Sequence, residues 1–228
     1  MISIAIPCYE YHGKGAEVLE RTLKSILLQT FKDYEVVIAD HSLDDKVETL
    51  CKKWVDRFEL RYFRNNEYLE SPAQNTEYAI KRSKGDLIKI LCQDDYFFDQ
   101  YSLEKTVYGF NEGFNWLASA YLHTYNHLDF FKYHLPQLNS CLYLENTVGT
   151  PSCVTIKNVD PMPSFDYNLN YSYDGDFYQR FIEKYGNPKI ITDVTIVNLL
   201  WEKSLTSFIQ NREKDRENDY LKKKYKKK

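Results

Sequence analysis

The sequence predicts an α/β fold made of parallel βαβ units, and three observations carry that expectation. Short β-branched runs alternate with segments of helical periodicity through the first hundred residues. One apolar run, Asp86 to Cys92, follows Gly85 and ends in the acidic pair Asp94 and Asp95. That is how a buried strand delivers polar groups to the sheet edge where ligands bind. The composition, 43% hydrophobic and 28% charged over 228 residues, is that of a folded protein of one domain with a real core.

The elements follow in order. Ile2 to Ile6 is a β-branched run stopped by Pro7, as expected of a first core strand. Leu19, Leu23, Ile26 and Leu27 recur at helical spacing. Val36 to Ala39 make the next strand, and Val47, Leu50, Cys51, Trp54 and Val55 mark one face of a second helix. Leu60 to Phe63 is a third strand. Ser71-Pro72 reads as a helix cap with proline in the first turn. Beyond the acidic pair the chain is rich in Tyr, Phe, His and Asn, and its periodicity is weak. A helix is expected near Ser102 to Glu112, with strands near 116–122 and 141–145. Residues 146–156 read as a turn leading into a strand. An amphipathic helix is expected from Tyr173, because Asp174 and Asp176 precede Phe177, Phe181 and Ile182. Thr192 to Leu200 is a further strand, and the nearly all-charged stretch from Asn211 is a helix fraying into a tail.

A formal charge of -3 gives no whole-protein signal for nucleic acid, so no nucleic-acid partner is expected. Five cysteines, an odd number with no C-x-x-C pair, argue against a disulfide framework and a zinc site and for a reducing compartment. The N-terminal residues lack a basic leader, and no stretch approaches the roughly 20 apolar residues that span a bilayer. The expectation is a cytoplasmic protein. The lysines from Lys222 to Lys228 read either as a solvated tail or as a peripheral contact with anionic membrane.

Three segments at consistent spacing then bear on function: Ile4 to Glu10, Ser25 to Ser42, and Lys84 to Asp95. Together they resemble the family 2 glycosyltransferases, which use nucleotide sugars. The second segment is the most specific, since Gln29-Thr30, the aromatic Phe31, Glu35 and a strand ending in Asp40-His41-Ser42 keep the family's order. The resemblance implies a GT-A fold, with a Rossmann-like, mostly parallel sheet flanked by helices and a smaller, mixed acceptor-side region. Residues 1–100 would form the nucleotide-sugar-binding half, 101–210 the acceptor-side half, and 211–228 a charged C-terminal helix or tail.

The same resemblance implies roles for particular residues. Pro7, Cys8 and Tyr9 should form the loop along the nucleoside. Asp40 matches the base-reading carboxylate, although a helix cap is the plain alternative. Gln74 stands where many members have Arg, and Ala39 where they have a second Asp. Gln93 occupies the first position of the Asp-x-Asp metal motif, which puts Asp95 on the metal position, with Asp94 and Gln93 near the ribose and diphosphate. Mn²⁺ or Mg²⁺ suits such oxygen ligands. Asp174 matches the second residue of the family's Glu-Asp motif and is the candidate general base, with Asp176 as the fallback; acidic decoration of a helix start explains either equally plainly. Gly149, Pro151 and Ser152 resemble a family turn on the acceptor side. Leu199 and Trp201 replace an Arg and a His, Lys203 is a candidate for the lost positive charge, and core packing is the expected role of Trp201.

The function this implies is inverting, metal-dependent transfer of a sugar from a nucleoside diphosphate sugar, UDP-sugar favoured, to a hydroxyl of a glycan or lipid-linked acceptor. The alternative is a non-catalytic, glycosyltransferase-like module that binds sugar or a partner. A nucleotidyltransferase is disfavoured, because Gly13-Lys14-Gly15 is too short for a phosphate loop.

Overall fold

The computed structural model describes all residues except 11–12, 68–70, 111–112, 203, 205–206, 208 and 227–228. The Lys203 expectation lies outside the described residues, as do the last two lysines of the tail. β1 (Ile2–Cys8), β2 (Tyr34–Asp40), β3 (Leu60–Arg64) and β4 (Leu87–Ile90) are joined by α1 (Gly15–Leu27), α2 (Lys46–Lys52) and α3 (Pro72–Arg82). These four strands pair in parallel in the order β3-β2-β1-β4. Their register sets Cys8 beside Asp40 and Asp40 beside Arg64, so the carboxyl ends lie together. β2 is buried along its whole length, which is why it reads as a continuous apolar run rather than an alternating one. α1 is amphipathic and buries Val18, Leu19, Leu23 and Ile26. Each such side chain contributes about 1.5–3 kcal/mol of burial.

The second half extends the same sheet. β5 (Tyr96–Phe97), α4 (Ser102–Gly109), β6 (Trp116–Thr124), β7 (Phe130–His134), a 3-10 turn at Pro151–Cys153, β8 (Val154–Lys157), α5 (Tyr173–Tyr185), β9 (Lys189–Leu199) and α6 (Asn211–Lys226) follow. β8 runs antiparallel to both β4 and β6, β9 runs parallel to β6, and β5 closes the far end on β9. β5 comes from the first hundred residues and pairs only with a strand of the second half, so the two halves share one sheet and one core.

A polar corner locks the N-terminal half. Buried Glu35 accepts from the Ser3 hydroxyl (2.6 Å), the Lys84 amide (2.7 Å) and Arg61 (2.9 Å). Burial works against its charge, but these donors outweigh it and hold the carboxyl below its usual range. Gly85 completes the corner, where a Cβ would lie 2.6 Å from the Ser3 nitrogen.

Three expectations need correction. Residues 141–145 form a turn, closed by the Leu144 and Glu145 amides on the Cys141 carbonyl, and the strand of that region is β7 instead. The apolar side chains of 141–145 pack on helices rather than on a ladder: Leu142 is buried and Tyr143 stacks on Tyr225 at 3.9 Å. α4 stops at Gly109, short of Glu112. The charged C-terminus is helical as expected, but α6 runs to Lys226 and is docked rather than a loose tail: it buries Glu217 and Leu221, and Lys224 turns inward to Asp166 (2.7 Å) and Asp176 (2.6 Å). Among the described residues no helix is long and apolar enough to cross a membrane.

Lys89, at the centre of β4, is fully buried, and its Nζ has no hydrogen-bond partner among the described residues. Thr155, opposite it in the β4–β8 register, also has an unpartnered hydroxyl. Burial pushes the ammonium down to about 8. The charged form is therefore penalised most below pH 8, and the penalty fades as pH rises toward the unfolded value of about 10.4. Lys89→Met should stabilise the protein at pH 7 on the order of 2–3 kcal/mol, with the gain shrinking by pH 10. Urea midpoints at the two pH values measure this. A variant less stable than the native protein at pH 7 would mean that the ammonium is compensated.

Candidate active site

A cleft of about 1010 Å³ opens at the carboxyl ends of the parallel strands. Pro7 to Glu10 after β1, Cys92 to Asp95 after β4, Thr150 and Pro151 before β8, the first turn of α5, and Asn198 to Trp201 at the end of β9 line it. Each lining segment leaves the sheet or enters a helix, so rigid elements hold the polar groups in place.

The acidic loop is fixed from beneath. The Thr22 hydroxyl of α1 sits 2.7 Å from the carbonyls of both Gln93 and Asp95, and the Cys92 amide donates to the Ser152 hydroxyl (2.9 Å). Asp95 is fully buried. Its Oδ1 accepts from the Asn198 amide (2.8 Å) and the Leu199 N–H (3.1 Å), and its Oδ2 accepts a longer bond from the Thr150 hydroxyl (3.1 Å). Asp94 is half-buried, and its Oδ2 accepts from the Trp201 indole N–H (2.9 Å). Burial pushes both carboxyls above their usual range, and the Asp94 charge pushes Asp95 further.

Among the described lining residues there is no Lys or Arg, while Glu10, Asp94, Asp95, Asp174 and Glu213 are all acidic. No cluster of three His, Cys, Asp or Glu among the described residues makes a self-sufficient metal cage. Two adjacent carboxylates, one buried and one half-buried, with no Lys or Arg among the described lining residues, do fit a hard divalent ion that takes further ligands from outside the protein. Oδ2 of Asp95, which accepts from the Thr150 hydroxyl at 3.1 Å, is a carboxylate oxygen with a further lone pair for it.

Several other expected residues sit differently. Gln93 lines the cleft, but its amide is spent on Tyr9: the Tyr9 N–H donates to Oε1 and Nε2 donates to the Tyr9 carbonyl, both at 2.8 Å. That reciprocal clip fixes the Pro7-Cys8-Tyr9 loop, so Gln93 holds this wall of the cleft in place. Asp40 has no exposed surface and does not line the cleft. Its oxygens accept from the Ser42 N–H (2.8 Å) and the Tyr62 hydroxyl (2.6 Å), with Arg64 3.7 Å away, and the wall beside it is His41. Gln74 points into the fold, where Oε1 accepts from Asn65 (3.0 Å), and it does not line the cleft; its neighbour Asn75 does, stapling the Cys8 and Ala39 carbonyls. For these residues, burial against protein partners overrides the exposed role that sequence position suggested.

Across the cleft, Asp174 stands in the first turn of α5, half-buried. Oδ1 accepts the Gly175 N–H (2.7 Å) and Oδ2 accepts the Asn146 amide (2.9 Å). Burial raises this carboxyl to about 7. Asn146 also holds the turn to Gly149 through the Gly149 N–H (2.9 Å) and carbonyl (3.0 Å). Gly149 has φ +111°, and a Cβ there would lie 2.5 Å from the Tyr121 hydroxyl, so only glycine suits the turn that orients Asp174. Asp176, the fallback base, is fully buried and paired with Arg180 (2.7 Å), Lys224 and Tyr225, away from the cleft.

Asn146 and Asn198 were missed as site residues, and Trp201 was weighed for a site role but expected in the core. The Asn-x-x-Gly turn at 146–149 was a local signal for the first. Nothing local ties Trp201 to Asp94, 107 residues away, and the indole lines the cleft instead of packing in the core.

Comparison with known proteins adds to this geometry. A family model described as glycosyl transferase family 2 matches residues 3–154. A GalNAc(5)-diNAcBac-PP-undecaprenol beta-1,3-glucosyltransferase of Campylobacter jejuni is 28% identical over 95 residues, 41% of this chain and 29% of the relative. An uncharacterized glycosyltransferase of Rickettsia typhi is 31% identical over 98 residues, 43% of this chain and 28% of the relative. The chain thus spans under a third of the length of these curated relatives. Among solved structures, S. aureus TarS 1-349 in complex with UDP-GlcNAc superposes with a TM-score of 0.71 at 16% identity, covering 96% of this chain and 71% of that one. The mannosyltransferase PcManGT from Pyrobaculum calidifontis, in complex with GDP-Man and Mn²⁺, gives 0.67 at 14% identity, covering 91% and 59%.

Proposed function

The chain belongs to glycosyl transferase family 2 and has the GT-A fold, and from that premise we propose that it transfers a sugar from a nucleoside diphosphate sugar to an acceptor hydroxyl. The observation that carries this reading is a single cleft bounded by the Asp94–Asp95 pair on one wall and by Asp174 on the other. The Pro7-Cys8-Tyr9 loop, held by Gln93, and His41 form the nucleoside wall. UDP is the favoured nucleotide, by likeness to the TarS complexes with UDP and UDP-GlcNAc. Asp40 supports that wall through Ser42 and Tyr62.

Asp95, with Asp94 beside it, would hold a divalent ion, Mn²⁺ or Mg²⁺. When bound, that ion neutralises the charge gathering on the departing nucleoside diphosphate. The described lining residues include no Lys or Arg, which supports a bound cation as the counter-charge to a diphosphate. The Trp201 indole steadies Asp94. Asp174 accepts the proton of the incoming hydroxyl, and a carboxyl near 7 divides its time between the two protonation states at neutral pH, as general base catalysis favours. Attack from the face opposite the diphosphate inverts the sugar's configuration. The acceptor is a glycan or a lipid-linked glycan, the latter by likeness to the Campylobacter relative.

Release of nucleotide across a panel of UDP-, GDP- and dTDP-sugars with Mn²⁺ tests the reading. Release from one nucleotide class, UDP first, is expected. Absence of release and of binding with every donor would sink it. A second reading, a non-catalytic sugar-binding module, is favoured by the same cation-free lining and predicts sugar binding that ignores Mn²⁺.

A further inference from the structure

The first turn of α5 carries Asp174, and the helix lacks a local cap: Ser172 makes no side-chain capping bond. A carboxylate from α6 instead holds the segment that enters the helix. Glu217, 1% exposed, reaches over 45 residues of sequence to three successive amides. Oε1 accepts from the Asn170 N–H (2.7 Å) and the Tyr171 N–H (3.2 Å), and Oε2 accepts from Tyr171 (3.2 Å) and the Ser172 N–H (2.9 Å). Consecutive N–H groups converging on one anion form a nest, and charge-assisted bonds of this kind are among the stronger ones in a protein.

The rest of α6 closes on the same segment. Glu213 accepts from the Asn170 side-chain amide (3.2 Å), and Lys214 lies 4.5 Å over the Tyr171 ring. About two turns beyond Glu217, Lys224 bridges Asp166 and Asp176, and the Tyr225 hydroxyl donates to Asp176 (2.9 Å). The segment entering α5 is thus gripped before and after Asp174. Asn170, Tyr171 and Glu213 line the cleft themselves, so the grip reaches the site directly.

We propose that Glu217 is a positioning residue for the transfer reaction: by holding the amides of Asn170, Tyr171 and Ser172, it fixes the start of α5 and keeps Asp174 aimed into the cleft. This rests on the reading of Asp174 as the base. The charged C-terminal helix is then part of the reaction machinery. The Glu217 charge also raises the Asp174 carboxyl, secondary to burial, so its removal should move the rising limb of the pH profile downward.

Glu217→Gln keeps the shape but offers one good acceptor oxygen where three amides converge. The expected result is a kcat reduced about tenfold or more, with Mn²⁺-supported UDP affinity within about twofold of native and a lower apparent pKa in the kcat profile. Unchanged kcat and pH profile in the folded variant would overturn the proposal; equal loss of UDP affinity and kcat would make Glu217 a general structural residue instead. Hydrogen exchange of the native protein gives an independent reading. Amides 170–172 should be protected like those of α5, and exchange at the rate of an open loop contradicts the nest whether or not the variant folds. Asp174→Asn in the same assays separates the two claims. Retained activity there removes the base assignment, whereas loss there with a normal Glu217→Gln removes only the positioning role.

Discussion

Asp174→Asn should lower kcat by about 10²–10⁴-fold while leaving UDP affinity with Mn²⁺ unchanged. The variant keeps the side chain's shape and removes proton acceptance, and its one carbonyl oxygen keeps one of the two contacts with the Asn146 amide and the Gly175 N–H. The sign with pH follows from burial, which raises this carboxyl to about 7. Activity in the native protein should rise as pH passes through 7 and the base ionises, and the variant should lose that limb. Stability runs the other way. A carboxyl raised in the folded state disfavours folding once it ionises, so its contribution falls as pH climbs from the unfolded value near 4 through the folded value near 7. The melting temperature of Asp174→Asn relative to the native protein should therefore rise between pH 4 and pH 8. Retained kcat with an unaltered profile would move the base elsewhere.

Asp95→Asn should remove the metal dependence of nucleotide binding. Titration of native protein with UDP is expected to show affinity about 100-fold higher with Mn²⁺ than with chelator, the equivalent of roughly 3 kcal/mol. The variant should bind weakly in both conditions. Asparagine is the informative change because the Asp95 side chain also ties the acidic loop to the end of β9 through Leu199 and Asn198, contacts that alanine would lose. A variant as metal-responsive as the native protein would pass the ligand role to Asp94, the more exposed of the pair.

The parallel half of the fold was legible because its information is local. Ile2 to Ile6, Val36 to Ala39 and Asp86 to Cys92 are apolar runs with punctuation at their ends. Ser71 does cap α3, through the Gln74 amide. The second half was less legible because long-range contacts decide it. Cys141 to Glu145 looks strand-like, yet its apolar side chains are used by α5 and α6, while β7, with exposed Phe130 and Tyr133, carries little inward pattern to read. In the site, Asp94, Asp95 and Asp174 reach the cleft as their positions suggested. Asp40 and Gln74 do not, since Tyr62 on the neighbouring strand and Asn65 just after β3 draw them inward. Glu217 was hidden for a related reason. A lone acid in a charged run looks solvated until the three amides it binds are brought to it by the fold.

The most direct test is a crystal structure with UDP and Mn²⁺, with anomalous scattering locating the metal. The uracil should lie along Pro7 to Tyr9, the metal should touch Asp95 and both phosphates, and the open side of the diphosphate should face Asp174. A nucleotide bound outside this cleft, or a metal with no contact to Asp94 or Asp95, would contradict the assignment of this cleft as the transfer site.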